Sequence, residues 1–174
     1  GSVSIALHWI GAICIAAMWI LGNNMEDLPR AEALAARQLH ISVGLALFAI
    51  LALRIIWRMA SGGTRKDPTA APSIFDRVAT YVHYGLLASI AILILSGPLS
   101  IWFGGKPLEM FGMVSVPSPF PKVSILHEGF EVAHVITSKV ILPLILLHVA
   151  GALKHLLIDR DGVVRRMLVP ARDA

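Results

Sequence analysis

The chain has 174 residues, 56% of them hydrophobic and only 15% charged, and its mean hydropathy of +0.75 excludes an ordinary soluble domain. The formal net charge of +4 is sorted by loop rather than gathered in one patch, so a nucleic-acid surface is excluded as well. The single cysteine, Cys14, rules out an intrachain disulfide and any C-x-x-C-H attachment sequence.

Four apolar stretches have the length of a bilayer-crossing helix, roughly 20 residues. The first, about Ile5 to Leu21, carries His8 and Cys14; it lacks a small-residue cleavage pattern and is read as a helix that stays, with Cys14 as a small core residue. A loop from Gly22 to Gln38, acidic at its start, leads to the second stretch, Leu39 to Trp57, which opens on His40 and contains Arg54. The next loop, Met59 to Arg77, holds Gly62, Gly63, Pro68 and Pro72 and reads as an exposed connection. The third stretch, Val78 to Trp102, has His83 near its start, and Gly97-Pro98 predicts a kink or an early stop because proline lacks an amide donor. Loop three, Phe103 to Glu131, is rich in glycine and proline and is expected to be long, functional or folded onto the surface. The fourth stretch, Val132 to Ile158, carries His134, Lys139, His148 and His155. Nothing is left for a second domain, so residues 1–174 are expected to form one all-α, integral membrane four-helix bundle.

Charge orients the bundle. Arg58, Arg65, Lys66 and Arg77 follow the second stretch, and Lys154, Arg160, Arg165, Arg166 and Arg172 end or follow the fourth. The first loop balances Arg30 and Arg37 against Glu26, Asp27 and Glu32, and the third has only Lys106 and Lys122. Positive-inside bias therefore places both termini in the cytoplasm.

The histidines carry the chemistry. His134 and His148 are fourteen residues apart, about four helical turns and roughly 21 Å, so both imidazoles leave one face of one helix near opposite sides of the bilayer. Ionisable side chains inside membrane helices usually mark a bound group, an ion path or a partner. With the N-terminus inside, His40 matches His134 in depth on the outer side and His8 matches His148 on the inner side. Two such pairs predict two bis-imidazole haem b irons, six-coordinate and closed to oxygen, as an electron carrier requires. Gly11, Gly44 and Gly151, three or four residues after His8, His40 and His148, leave room for a flat macrocycle. The seven histidines cannot all be paired ligands. His155, two turns beyond His148, is an alternative inner ligand, although Lys154 and Asp159 place it at the water boundary.

The remaining polar residues have two readings each. His83 and His155 are inner groups suited to hydrogen-bonding or protonating a quinone, or else interfacial histidines. Arg54 and Lys139 are candidates for a haem propionate, or snorkel to the interface. Arg37, Lys106, Lys122 and His127 on the outer side are candidates to attract an anion such as superoxide, or are solvated loop charges.

The run His134-Val-Ile-Thr-Ser-Lys-Val-Ile-Leu-Pro-Leu-Ile-Leu-Leu-His148-Val-Ala-Gly-Ala-Leu-Lys-His155, followed by Asp159-Arg-Asp-Gly-Val-Val-Arg-Arg-Met167, resembles the fourth helix and tail of the bacterial cytochrome b561 family. Ala6-Leu-His8-Trp9-Ile, Leu39-His40-Ile-Ser-Val-Gly44 and Leu53-Arg54-Ile-Ile-Trp57-Arg58 resemble its first two helices. The resemblance implies four helices in the bacterial inner membrane, two b haems, an inner quinone site at His83 and His155, and electron exchange with membrane quinone. It further implies oxidation of superoxide with ubiquinone as acceptor; a relay subunit serving a periplasmic redox donor is the alternative. Many family members carry His-Glu at the outer ligand of helix four, whereas this chain has His134-Val135 and an earlier His127-Glu128. His127 therefore competes with His134 for the outer iron.

Overall fold

The computed structural model describes residues 2–25, 27–61 and 73–169. Within them α1 (Ser2–Asn23), α2 (Arg30–Ala60), α3 (Ile74–Phe103) and α4 (Ser124–Lys154) are the long elements, each apolar enough to cross a membrane. A short antiparallel hairpin, β1 (Leu108–Met110) with β2 (Val114–Val116), separates α3 from α4. A π-helical turn, His155–Asp159, and the four-residue α5 (Val163–Arg166) follow α4. Gly62, Gly63, Arg65, Lys66, Pro68 and Pro72 of the second loop lie outside the described residues, as do Glu26 and Arg172.

The helices outrun the apolar stretches. α2 starts at Arg30 rather than Leu39 because Ala31, Ala33, Ala35 and Ala36 favour helix, and a polar turn can stand beyond the lipid. α4 starts at Ser124 rather than Val132, its polar first turns likewise able to stand beyond the lipid, which shortens loop three. Pro98 does not stop α3; the helix runs five residues further to Phe103. At its other end α3 is closed by a capping box, in which Ser73 Oγ accepts the Asp76 amide at 3.2 Å and Asp76 Oδ2 accepts the Ser73 amide at 2.9 Å.

The expected surface loop contains the hairpin, with Leu108 opposite Val116 and a turn through Phe111 (φ 51°) and Gly112 (φ 68°). Two positive φ angles in succession suit the right-handed twist of the strands, and glycine adopts the second without strain. Ser42 of α2, 1% exposed, fixes the hairpin: its Oγ accepts the Phe111 amide at 2.9 Å, and Gln38 Nε2 donates to the Glu109 carbonyl at 2.9 Å. The hairpin thus roofs one end of the bundle, the hairpin end; the start of α1 and the short α5 lie at the other, the terminal end.

One buried residue from each long helix, Cys14, Leu51, Ile90 and Ile141, forms the central core, flanked by Ile15, Leu47, Leu86 and Ile145. Ile141 lies seven residues from both His134 and His148. Outward, Ile13, Ile20, Leu53, Ile56, Leu95, Ile136 and Leu146 are exposed, an apolar belt suited to the hydrocarbon of a bilayer. Aromatic side chains mark the terminal end, where Trp9 Nε1 donates to the Met167 carbonyl at 2.8 Å and Trp57 Nε1 to Ser4 Oγ at 2.9 Å.

Candidate functional site

The bundle holds two layers of imidazoles with the Ile141 core between them. At the terminal end α1 contributes His8, α3 His83 and α4 His148. The His8 and His148 ring centroids are 6.0 Å apart and the planes 52° inclined, whereas His83 stands 5.1 Å from His148. Arg54 of α2 reaches into this layer, donating from Nη1 to the Leu7 carbonyl at 2.8 Å and from Nη2 to His8 Nδ1 at 3.2 Å. A guanidinium only donates, so His8 accepts at Nδ1 here. Gly11 makes this possible: a Cβ there would stand 2.6 Å from Arg54 Cδ. Gly151 behaves differently, with nothing within 4 Å of an added Cβ.

At the hairpin end His40 of α2 faces His134 of α4, their ring centroids 6.2 Å apart and planes 83° inclined. Glycines hold these rings closely. An added Cβ would stand 3.2 Å from His40 Cε1 at Gly22 and 3.3 Å from His134 Cε1 at Gly97. Ser96, 2% exposed, sits 3.0 Å from His134 Nδ1, and the Leu93 carbonyl also faces that ring. His40 Nδ1 is buried without a well-formed hydrogen bond, the Met18 carbonyl being the favourable group nearby. Gly44, in turn, packs on the Met18 side chain.

These separations can be tested against a metal centre. With metal–imidazole bonds of about 2.0 Å, two rings on opposite sides of one metal have centroids roughly 6 Å apart. The His8–His148 and His40–His134 pairs match that span, while the 5.1 Å of His83–His148 is short for it. The residues present therefore fit two bis-imidazole irons, a donor set well suited to that metal. His127 is engaged elsewhere: its Nδ1 donates to the Ser100 carbonyl at 2.7 Å and its Nε2 faces Glu131 at 3.8 Å.

Arg37, Lys106 and His127 line one cavity of about 440 Å³ at the hairpin end, together with Gln38, Glu109 and Glu131. Arg37 and Glu131 lie three residues before His40 and His134, so the cavity sits about one turn outward of the paired imidazoles. Lys122 does not line it; its side chain packs on Gly105, beside Lys106. Lys139 is exposed on α4, outside both histidine layers.

His83 and His155 share an end of the bundle, but in different settings. His83 belongs to the His148 layer, whereas His155 opens the π turn. There its Nδ1 lies 2.7 Å from Asp161 Oδ2 and 3.3 Å from Asp159 Oδ2. Lys154 Nζ closes on Asp159 at 2.6 Å. The Val163 amide first, and then His155, hold the Asp161 carboxyl below the ordinary carboxylate range, so it stays ionised. The three metal-ligating groups His155, Asp159 and Asp161 lie close together, but these internal pairings already account for their charge. Ser96, Gly22, Gly97 and Asp161 escaped sequence reasoning because a lone serine, glycine or aspartate has no periodicity to betray it.

Comparison with known proteins adds a common ancestry to this geometry. A family model described as "Prokaryotic cytochrome b561" matches residues 1–170. The chain is 31% identical over 172 residues to "Cytochrome b561 homolog 2" of Escherichia coli (strain K12), covering 97% of this chain and 90% of that protein. It is 28% identical over 174 residues to "Cytochrome b562" of Cereibacter sphaeroides, covering 97% and 94% respectively.

Proposed function

The chain belongs to the prokaryotic cytochrome b561 family of membrane electron-transfer proteins, and on that footing we propose that it carries two haems and passes electrons from superoxide on the outer side to ubiquinone on the inner side. The observation that carries this reading is the pair of imidazole couples, 6.0 and 6.2 Å across, at either side of the Ile141 core. His8 and His148 would hold the inner haem, His40 and His134 the outer. When bound, haem b with two imidazole ligands supplies reversible one-electron transfer with no open coordination position.

The chain's own residues position and tune. Ser96 Oγ accepts the proton of His134 Nδ1 and leaves Nε2 for iron, fixing tautomer and ring orientation. At the inner layer, a ligand nitrogen at His8 Nε2 puts the ring proton on Nδ1. Arg54 can only donate, so it gives up its His8 contact and becomes available to a propionate carboxylate. Lys139, exposed on lipid-facing α4, has the weaker claim to that role.

Arg37 and Lys106 put two cations on the cavity above the outer couple, where His127 adds a hydrogen-bonding imidazole and Lys122 adds charge nearby, so an anion such as superoxide has cationic partners at the outer site. Glu109 and Glu131 on the same wall temper that field. On the inner side His155, held through Nδ1 by Asp161, presents Nε2 to a quinone carbonyl, and His83 offers a second imidazole. Both termini would then be cytoplasmic. The test is direct: the detergent-purified chain should show two low-spin b haems in reduced-minus-oxidised spectra and consume superoxide only when quinone is supplied. No consumption above buffer would overturn the enzymatic reading.

One observation favours a second reading. The hairpin tip and its neighbour project apolar side chains, Met113 at 79% exposure with Phe111, Val114, Val116 and Phe120 also exposed. A relay subunit docking a periplasmic redox protein would use such a surface. It predicts slow reaction with superoxide and rapid reduction by a co-purifying partner.

A further inference from the structure

The turn between α4 and α5, which begins at the proposed quinone residue His155, encloses a cleft of about 200 Å³ lined by His155, Leu156, Arg160, Gly162, Val164 and Arg165. Its walls are chiefly apolar, with two arginines set among them. Arg160 takes a left-handed conformation (φ 52°) that ends the π turn, and Gly162 (φ 74°) turns the chain again into α5, so Arg165 comes round beside Arg160. The acidic groups nearby are spent internally: Asp159 pairs with Lys154 and Asp161 with His155. Among the described residues no carboxylate pairs with Arg160 or Arg165. The cleft sits where a candidate membrane span ends at Asp159. Leu157, Ile158, Leu168 and Val169 around it are exposed and apolar.

We propose that this cleft binds the headgroup of an anionic phospholipid, the phosphodiester meeting Arg160 and Arg165 while the glycerol and upper acyl carbons lie against Leu156, Val164 and the aliphatic arginine stems. Three features favour a lipid over a soluble phosphate. The walls are chiefly apolar, the position is the span end, and Leu157, Ile158, Leu168 and Val169 are exposed apolar side chains from the same segment. Guanidinium suits a phosphate diester because its planar fork offers two parallel donors. The inference shares His155 with the quinone assignment but is carried by Arg160 and Arg165, which that assignment does not use.

The experiment is native mass spectrometry of the full chain, released from nanodiscs, with titration of short-chain phosphatidylglycerol, short-chain phosphatidylcholine and inorganic phosphate in parallel. Phosphatidylglycerol is expected to remain bound and phosphatidylcholine to be lost. The Arg160→Gln/Arg165→Gln variant should bind phosphatidylglycerol about tenfold more weakly, each basic residue near an anionic surface contributing several-fold. Arg160→Lys/Arg165→Lys should fall between the two, and Arg30→Gln, at the opposite end, should match the wild type. If the double glutamine variant does not fold, the single Arg165→Gln change is read in the same way, with a weakening of at least threefold expected. Equal retention of both lipids, wild-type binding by the glutamine variants, or displacement by millimolar inorganic phosphate would each overturn the proposal; the last would make the cleft a soluble-anion site.

Discussion

Replacing Ser96 with alanine should raise the reduction potential of one haem and leave the other unchanged. Ser96 is 2% exposed and its Oγ lies 3.0 Å from His134 Nδ1, so alanine removes a hydrogen-bond acceptor without admitting water. Accepting that proton makes the imidazole a stronger donor to iron and favours the ferric state; losing it favours the ferrous. A neutral hydrogen bond contributes about 1 kcal/mol net, and only part of that differs between the ferric and ferrous states. The difference between oxidation states is therefore about half that, ~0.5 kcal/mol. With 1.36 kcal/mol to a factor of ten and 59 mV to the same factor for one electron, the rise is about 20 mV. Spectroelectrochemical titration of the purified protein, fitted to two haems, measures it, and Ser96→Thr should restore the wild-type value. A fall in potential, an equal shift of both haems, or no change with both haems retained would refute the reasoning. A protein with no haem at all would instead refute the ligand assignment.

Four further outcomes are expected. His134→Ala should leave one haem per chain by pyridine haemochrome assay while His127→Ala keeps two; the reverse result would transfer the outer iron to His127. The Arg37→Gln/Lys106→Gln variant should lower superoxide-driven quinone reduction by roughly tenfold at low ionic strength and flatten its salt dependence, because steering by a charged cleft is screened by salt. Asp161→Asn should slow quinone reduction by roughly tenfold without changing the haem count, since an unoriented general acid loses part of a contribution of about 10² or more. Because the Asp161 carboxyl is held below its ordinary range, the support it gives His155 is complete above the unperturbed carboxylate pKa. That support is lost as pH falls through the depressed value, and NMR of the His155 ring protons against pH should show the transition only when Asp161 is present.

The four spans were legible in the sequence because lipid selects on composition over roughly 20 residues, a signal that does not depend on tertiary detail. Their ends were not, because the stretches ahead of His40 and His134 are polar enough to leave the bilayer yet alanine-rich or amphipathic enough to stay helical, and hydropathy reports only the first property. Pro98 misled for a related reason: α3 continues through it because packed neighbours hold a helix that local propensity would break. The hairpin's strands are three residues each, too short for a period-two pattern to stand out; the signal that was available is Gly112 just ahead of Val114 and Val116. At the site, equal spacing along α4 sufficed to bring the histidines into two couples, since depth in a membrane follows from residue count. The seat of Arg54 against Leu7 and His8 was not readable, because it depends on Gly11 of a different helix leaving the space.

Ile141 and its partners Cys14, Leu51 and Ile90 form an insulating layer in the electrical sense. A proton or a hydrated cation entering that layer would exchange most of its water for aliphatic side chains, at a cost of several kcal/mol. An electron needs no such solvation and no bonded path. On the proposed two-haem reading, charge crossing the bundle would not be short-circuited by protons leaking back, and each electron moved between the two histidine layers would work with or against the transmembrane voltage, about 2.3 kcal/mol per 100 mV for a full crossing. On that reading, the small cluster at mid-bundle would make electron transfer through this chain sensitive to the energisation of the membrane that holds it.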